Sequence, residues 1–294
     1  MSKVWLITGS SRGLGRELAK AVLAAGHRLV ATARKPEDLH DLVSQYGERV
    51  RVVALDVTDP AAARAAVATT TSAFGRLDVV VNNAGYANIN SVEDIADDDF
   101  HAQFDTNFFG VVNVTRAALP VLRTQRDGHV IQISSIGGRA TTPGLAAYQS
   151  AKFAVEGFSE ALSNEVGPLG IRVTIVEPGG MRTDWAGSSM RVDDIRDDYQ
   201  ATVGAFIQMA RGNADAAQSD PAKAAQAILE IASAKEPPLR LLLGSDAVFL
   251  AGVVATARAA EDARWKALSI STDYEGLVDF AETPVAKMLT ATRI

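Results

Sequence analysis

Short β-branched runs alternate with Ala- and Leu-rich stretches along most of the chain. Seven runs read as strands: Val4–Thr8, Arg28–Thr32, Val50–Leu55, Val79–Asn82, Val130–Ser134, Val173–Val176 and Leu239–Leu243. Most are apolar at nearly every position, which predicts strands covered on both faces, as in a parallel sheet. The stretches at about 14–25, 60–74, 99–124, 148–167 and 221–234 predict helices. The β-α alternation implies a parallel sheet with helices on both faces and right-handed crossovers. One region breaks the rhythm. Residues 184–220 scatter Trp185, Met190, Tyr199, Phe206 and Met209 among charges, and a long insert of this kind predicts a substrate lid with an apolar, adaptable pocket. No Pro/Gly/Ser-rich linker appears, so a single domain over 1–294 is expected, with about 246–294 as a C-terminal extension.

Composition narrows the class. The 294 residues are 47% hydrophobic and carry 29 basic against 35 acidic side chains, a net charge of −6. An acidic chain without a basic cluster is a poor partner for nucleic acid or an anionic membrane. The apolar run at Val4–Ile7 stops at Thr8–Arg12, far short of a signal peptide, and Ala247–Ala257 falls short of the ~20 residues of a membrane span. With no cysteine, the expectation is a cytoplasmic protein.

The first strand runs into Thr8-Gly9-Ser10-Ser11-Arg12-Gly13-Leu14-Gly15 and then a helix. A strand, a glycine turn and a helix N-terminus together form a pyrophosphate site: unpaired N–H groups face the anion and no Cβ blocks its approach. The second strand ends in Ala33-Arg34-Lys35, with no carboxylate where NAD-selective folds hold the ribose 2′-hydroxyl. Arg34, Lys35 and Arg12 instead suit a 2′-phosphate, which favours NADP(H) over NAD(H).

Tyr148 and Lys152 stand at i and i+4, on one face of one predicted helix. A phenol titrates near 10, and a neighbouring ammonium would lower that value, making the pair a proton-transfer device. Ser134 and Ser135 end the fifth strand and Asn82-Asn83-Ala84-Gly85 ends the fourth. Open α/β sheets bind ligands at these carboxyl ends. For Asn82 a structural hydrogen bond across the sheet is expected, and for Ser134 no catalytic part.

These motifs, in this order over about residues 3–245, resemble the short-chain dehydrogenase/reductase family, in particular its branch of 17β-hydroxysteroid- and retinol-dehydrogenase-like enzymes. The resemblance rests on Thr8–Gly15, Asp56-Val57, Asn82–Gly85, Asn107, Ser135, Tyr148 with Lys152, and Pro178–Thr183. It implies a doubly wound Rossmann fold with a seven-stranded parallel sheet in the order 3-2-1-4-5-6-7. It also implies an NADP(H)-dependent oxidoreductase acting on a carbonyl or secondary alcohol. Tyr148 would be the general acid/base and Lys152 would tune it and bind ribose. Ser135 would orient the carbonyl and Asn107 would hold a relay water. Gly9, Ser11, Arg12, Gly13, Leu14, Gly15 and Arg34 would line the phosphates. Asp56 and Val57 would meet adenine, Asn83, Ala84 and Gly85 the ribose, and Pro178, Gly179 and Thr183 the nicotinamide end. A catalytically silent nucleotide-binding regulator on the same fold is the alternative. A homodimer or homotetramer is expected through the helices near 101–123 and 148–167, which carry Phe108, Phe109, Val112, Phe153, Phe158 and Leu162. His27, His40, His101 and His129 show no metal-ligand spacing, and Asp97-Asp98-Asp99 is expected to cap a helix.

Overall fold

The computed structural model describes residues 2–182, 190–212 and 217–291. Seven strands form one sheet: β1 (Val4–Ile7), β2 (Arg28–Ala33), β3 (Val50–Ala54), β4 (Val79–Asn82), β5 (Gly128–Ile133), β6 (Ile171–Pro178) and β7 (Arg240–Leu243). All pairs are parallel and the order is β3-β2-β1-β4-β5-β6-β7, as the resemblance implied. Successive side chains of a strand point to opposite faces. Trp5 and Ile7 therefore pack with Leu18, Val22 and Ile228 on one side of the sheet. Leu6, with Val80 and Val130, packs with Val67, Val114 and Leu162 on the other. The first layer is built by α1 (Gly13–Ala24) and α8 (Pro221–Ile231), the second by α3 (Pro60–Phe74), α5 (Gly110–Gln125) and α6 (Ala146–Val166). Asp59-Pro60 and Asp220-Pro221 start α3 and α8 alike. The aspartate accepts the N–H of Ala61 at 2.7 Å or of Ala222 at 2.8 Å, and the proline fills the first helical position, where no donor is needed.

Three details depart from the sequence reading. A short helix, α2 (His40–Tyr46), lies in a stretch with no clear helical signal. The single helix expected over 99–124 is three pieces: α4 (Asp97–Phe104), a π-helical turn at Asp105–Phe109, and α5. The three aspartates do not cap α4, because Ala96 holds the cap position and makes no side-chain bond. They occupy the first turn, where the helix dipole still favours them, and Asp99 instead accepts from Asn88 Nδ2 at 2.7 Å.

By contacts the chain divides into Met1–Leu250 and Ala251–Ile294. The first unit also contains α7 (Ala205–Gly212) and the start of α9 (Ser245–Ile270). The second holds the rest of α9, a 3-10 turn at Phe280–Glu282 capped by Asp279, and α10 (Pro284–Ala291). Within it Trp265, Leu268, Tyr274, Leu277 and Phe280 are exposed. Among the described residues no helix is long and apolar enough to cross a membrane.

Candidate active site

The strand order reverses at β1 and β4, and the carboxyl ends of β1, β4, β5 and β6 frame one crevice. After β1 the chain turns through Gly9 at φ +65°, and α1 opens on Gly13 at φ +54°. These values belong to the left-handed region that glycine enters without strain. A Cβ at Gly15 would overlap the Gly9 carbonyl and the Asn83 amide, so the turn sits against the helix end with backbone alone between them. Thr8, which the sequence reading left without a role, fastens this turn to β4. Its Oγ1 accepts the N–H groups of Asn83 at 2.9 Å and Ala84 at 3.0 Å. Asn83 returns the tie, its Nδ2 donating to the carbonyls of Thr8 at 2.9 Å and Gly9 at 3.0 Å. The Asn83 side chain is thus bound into the turn, and Ala84 and Gly85 present backbone. Arg12 and Arg34 are exposed, and among the described residues neither side chain has a hydrogen-bond or ion-pair partner. Arg16, by contrast, pairs with Asp41.

The adenine-side residues are placed differently from one another. Asp56 Oδ1 accepts from Thr58 N at 3.0 Å in a local turn. Val57 is buried in the core and, like Leu14, contributes a side chain to packing. Asn82 donates to Thr115 Oγ1 at 3.0 Å and Gln132 Oε1 at 2.7 Å, a cross-sheet role.

Ser135 follows β5 and Tyr148 and Lys152 stand on the first turns of α6. Tyr148 is hydrogen-bonded to Ser135. Lys152 lies with its Nζ 5.6 Å from the Tyr148 ring centroid and donates to the Ile133 carbonyl at 2.8 Å. A Cβ at Gly137 would come within 3.3 Å of Ser135 Oγ and 3.6 Å of Tyr148 Cε1, so this glycine lies beside both residues. Asn107 is fully buried in the π-helical turn. Its Nδ2 donates to the carbonyls of Tyr86 and Gln103, both at 2.8 Å, and its Oδ1 accepts from Tyr86 N at 3.1 Å. The bond to Gln103, one turn back, competes with the regular ladder and accompanies the widened turn. A Cβ at Gly85 would meet Asn107 Oδ1 at 2.6 Å and Lys152 Nζ at 3.7 Å, so both polar atoms border the same small space.

Burial governs the electrostatics. It pushes the Tyr148 phenol up to about 12, and the Ser135 hydrogen bond opposes that shift. It pulls the Lys152 ammonium down to about 8, with Glu156 opposing. Each group loses hydration in its charged form, so in this structure the tyrosine moves opposite to the direction the Tyr-Lys spacing suggested. Behind Lys152, Glu156 and Glu177 form a buried carboxylate pair held by Arg240 at 3.1 Å and Arg139 at 2.8 Å. Burial and the charge of Glu156 raise the Glu177 carboxyl.

Part of the expected lid packs over this centre. Met190, Val192, Ile195, Tyr199 and Phe206 lie against a cluster of Ala87, Ile89, Leu145, Tyr148, Val203 and Ile207. Met209 instead is exposed. Polar ties hold the segment down. Asn88 Oδ1 accepts from Arg191 N at 3.1 Å, and Glu93 accepts from Arg196 and from Tyr199 Oη, both at 2.7 Å. Thr183 and Trp185 lie outside the described residues. Among the described residues no group of acidic or histidine side chains could hold a metal ion. His129 and His27 sit at the amino ends of β5 and β2, opposite the crevice.

Comparison with known proteins agrees with this geometry. The family model described as short chain dehydrogenase matches residues 3–194. A protein of Botryotinia fuckeliana named Oxidoreductase BOA17 is 54% identical over 273 residues, which is 92% of this chain and 100% of that one. A crystal structure of a short-chain dehydrogenase from Streptomyces avermitilis superposes with a TM-score of 0.86 at 39% identity, covering 92% of this chain and 98% of that one. A short chain dehydrogenase from Burkholderia cenocepacia in complex with NADP gives a TM-score of 0.70 at 26% identity, covering 90% and 97%. With the glycine turn at the switch point and the Ser135, Tyr148 and Lys152 group beside it, these likenesses have one reading: the chain belongs to the short-chain dehydrogenase family.

Proposed function

We propose that this protein is an NADP(H)-dependent oxidoreductase that exchanges hydride with a carbonyl or secondary alcohol, most readily by reducing an apolar ketone or aldehyde. The observation that carries the reading is the enclosure of Tyr148, hydrogen-bonded to Ser135 with Lys152 one turn on, beside the glycine turn. The residues fit a dinucleotide. Gly9, Gly13 and Gly15 shape the turn at the start of α1 with Ser11 and Leu14 along it, and among the described residues the Arg12 and Arg34 side chains have no ion-pair partner and would suit a 2′-phosphate. Asp56 and Val57 would border the adenine, Ala84 and Gly85 the ribose, and Pro178, Gly179 and Thr183 the nicotinamide. The nicotinamide supplies hydride when bound.

The chain's own groups do the rest. Ser135 orients the substrate oxygen. Tyr148, kept protonated by burial, donates to that oxygen during reduction. Lys152 holds the ribose and replaces the proton on Tyr148. Asn107 Oδ1 and Lys152 Nζ border the space for a relay water. The apolar cluster around Tyr148 favours an apolar substrate and agrees with the hydroxysteroid- and retinol-dehydrogenase-like resemblance. Burial holds the Tyr148 phenol up, which favours the protonated form that donates in reduction. The silent-regulator alternative has no observation in its favour. Absent cysteine supports a cytoplasmic setting.

Oxidation of NADPH in the presence of a ketone panel tests the reaction. Arg34→Ala tests the nucleotide. Loss of a charge-assisted contact should weaken NADPH by about 1.5–3 kcal/mol and leave NADH nearly unchanged. Equal losses would remove the basis for NADP(H) selectivity.

A further inference from the structure

Asp246 stands in the first turn of α9, 66 residues after Gly180, yet its carboxylate closes the turn that follows β6. Its Oδ2 accepts the Gly180 N–H at 2.7 Å. Its Oδ1 is buried with no hydrogen-bond partner among the described residues. The carboxylate enters a slot that only glycines leave open. A Cβ at Gly179 or at Gly244 would overlap it, and Gly244 has a φ of +107°. The same turn is held at two further points: Gly179 N donates to the Leu243 carbonyl at 2.9 Å, and Ser219 N to the Gly180 carbonyl at 3.0 Å. On its other side the turn reaches the catalytic hydroxyls, because the Pro178 carbonyl accepts from Ser135 Oγ at 3.5 Å.

We infer that Asp246 is a positioning residue: by holding Gly180 N–H it sets the Pro178–Gly180 turn against the nicotinamide half of the dinucleotide. The inference rests on the dinucleotide reading above. It makes Asp246 matter for one half of the ligand only. On that reading the adenine half would lie at the carboxyl ends of β1–β3, away from this turn.

The test measures two ligands by equilibrium binding: NADPH, and adenosine 2′,5′-bisphosphate, which has the adenine half and no nicotinamide. Asp246→Ala and the near-isosteric Asp246→Leu remove the acceptor, and Asp246→Asn keeps an amide oxygen in its place. Losing a hydrogen bond to a charged group should weaken NADPH by about tenfold in the Ala and Leu variants. The bisphosphate should bind as in the wild type, and the Asn variant should recover NADPH affinity. Equal weakening of both ligands, or unchanged NADPH affinity in the Ala variant, would overturn the inference. If the Ala and Leu variants do not fold, the Asn variant decides: wild-type affinity supports the role and a tenfold loss refutes it. A wild-type protein that binds neither ligand would refute the dinucleotide reading and take this inference with it. Normal wild-type binding with an indifferent Ala variant would refute this inference alone.

Discussion

At the scale of single residues, burial sets the chemistry of the site. Tyr148 is held toward about 12 and Lys152 toward about 8, both by loss of hydration. A lysine below its unfolded value of about 10.4 makes the fold less stable while it is charged. That cost is present below pH 8 and disappears as pH rises from about 8 to 10. Lys152→Met should therefore stabilise the protein by about 2–3 kcal/mol at pH 7, with no gain at pH 11, while turnover collapses. Denaturant melts at the two pH values check this; a destabilised variant at pH 7 would contradict the burial argument. The catalytic counterpart concerns Tyr148→Phe, which keeps the ring and removes the hydroxyl. NADPH affinity should hardly change while kcat falls by about 10²–10⁴. In the free enzyme, kcat/KM for NADPH in carbonyl reduction should decline above pH about 8 as Lys152 loses its proton. A flat profile from pH 6 to 10 would separate Lys152 from the reaction.

Among elements, the join between β1 and β4 matters most. Thr8 Oγ1 satisfies two backbone N–H groups at the point where the sheet order reverses. Thr8→Val has the same shape and leaves both donors without their acceptor, at about 1–3 kcal/mol each if they stay dry. Thermal unfolding should shift down accordingly, and NADPH affinity should fall because the glycine turn loses its tie. A variant with wild-type Tm would mean that water replaces the hydroxyl. The pairing of helices is a second matter at this scale. Of the apolar residues expected to form a subunit interface, Leu162 is in the core, Phe158 packs against it, and Phe109 is half exposed. Phe108 and Phe109 of the π-helical turn and Phe158 of α6 form a continuous aromatic group. We expect this face to bury against a second copy in a closed homo-oligomer, and a monomer by light scattering at micromolar concentration would refute it.

Across the whole molecule, the buried His129 couples stability to pH. Burial, with Arg172 and Lys3 nearby, lowers the imidazole from 6.5 to about 3. The unfolded chain binds the proton first, so stability is intact above pH 6.5 and is lost as pH falls toward 3. About 3 kcal/mol of that loss should have appeared by pH 4. Its Nε2 lies 2.9 Å from Thr174 Oγ1, and Gln can reach the same hydroxyl without titrating. Comparing His129→Gln with the wild type by denaturation at pH 7 and pH 4 isolates this group from the carboxylates. The variant should lose less on acidification, and parallel losses would mean that the histidine is hydrated in the fold.

Local chemistry wrote the layout into the sequence. Strand runs apolar on both faces pointed to a parallel sheet, glycines at the start of α1 pointed to a turn at a helix end, and the i, i+4 spacing put Tyr148 and Lys152 on one face. Each depends on neighbours within a few residues, where periodicity and backbone sterics are decisive. Tertiary structure decided what depends on distant partners. The π-helical turn at Asn107 goes with an amide that bonds to Tyr86 and Gln103 at once. The upward shift of Tyr148 comes from enclosure, which no spacing encodes. Asp246 meets Gly180 across 66 residues, and no local pattern marks it, because the slot exists only once β6, β7 and α9 converge.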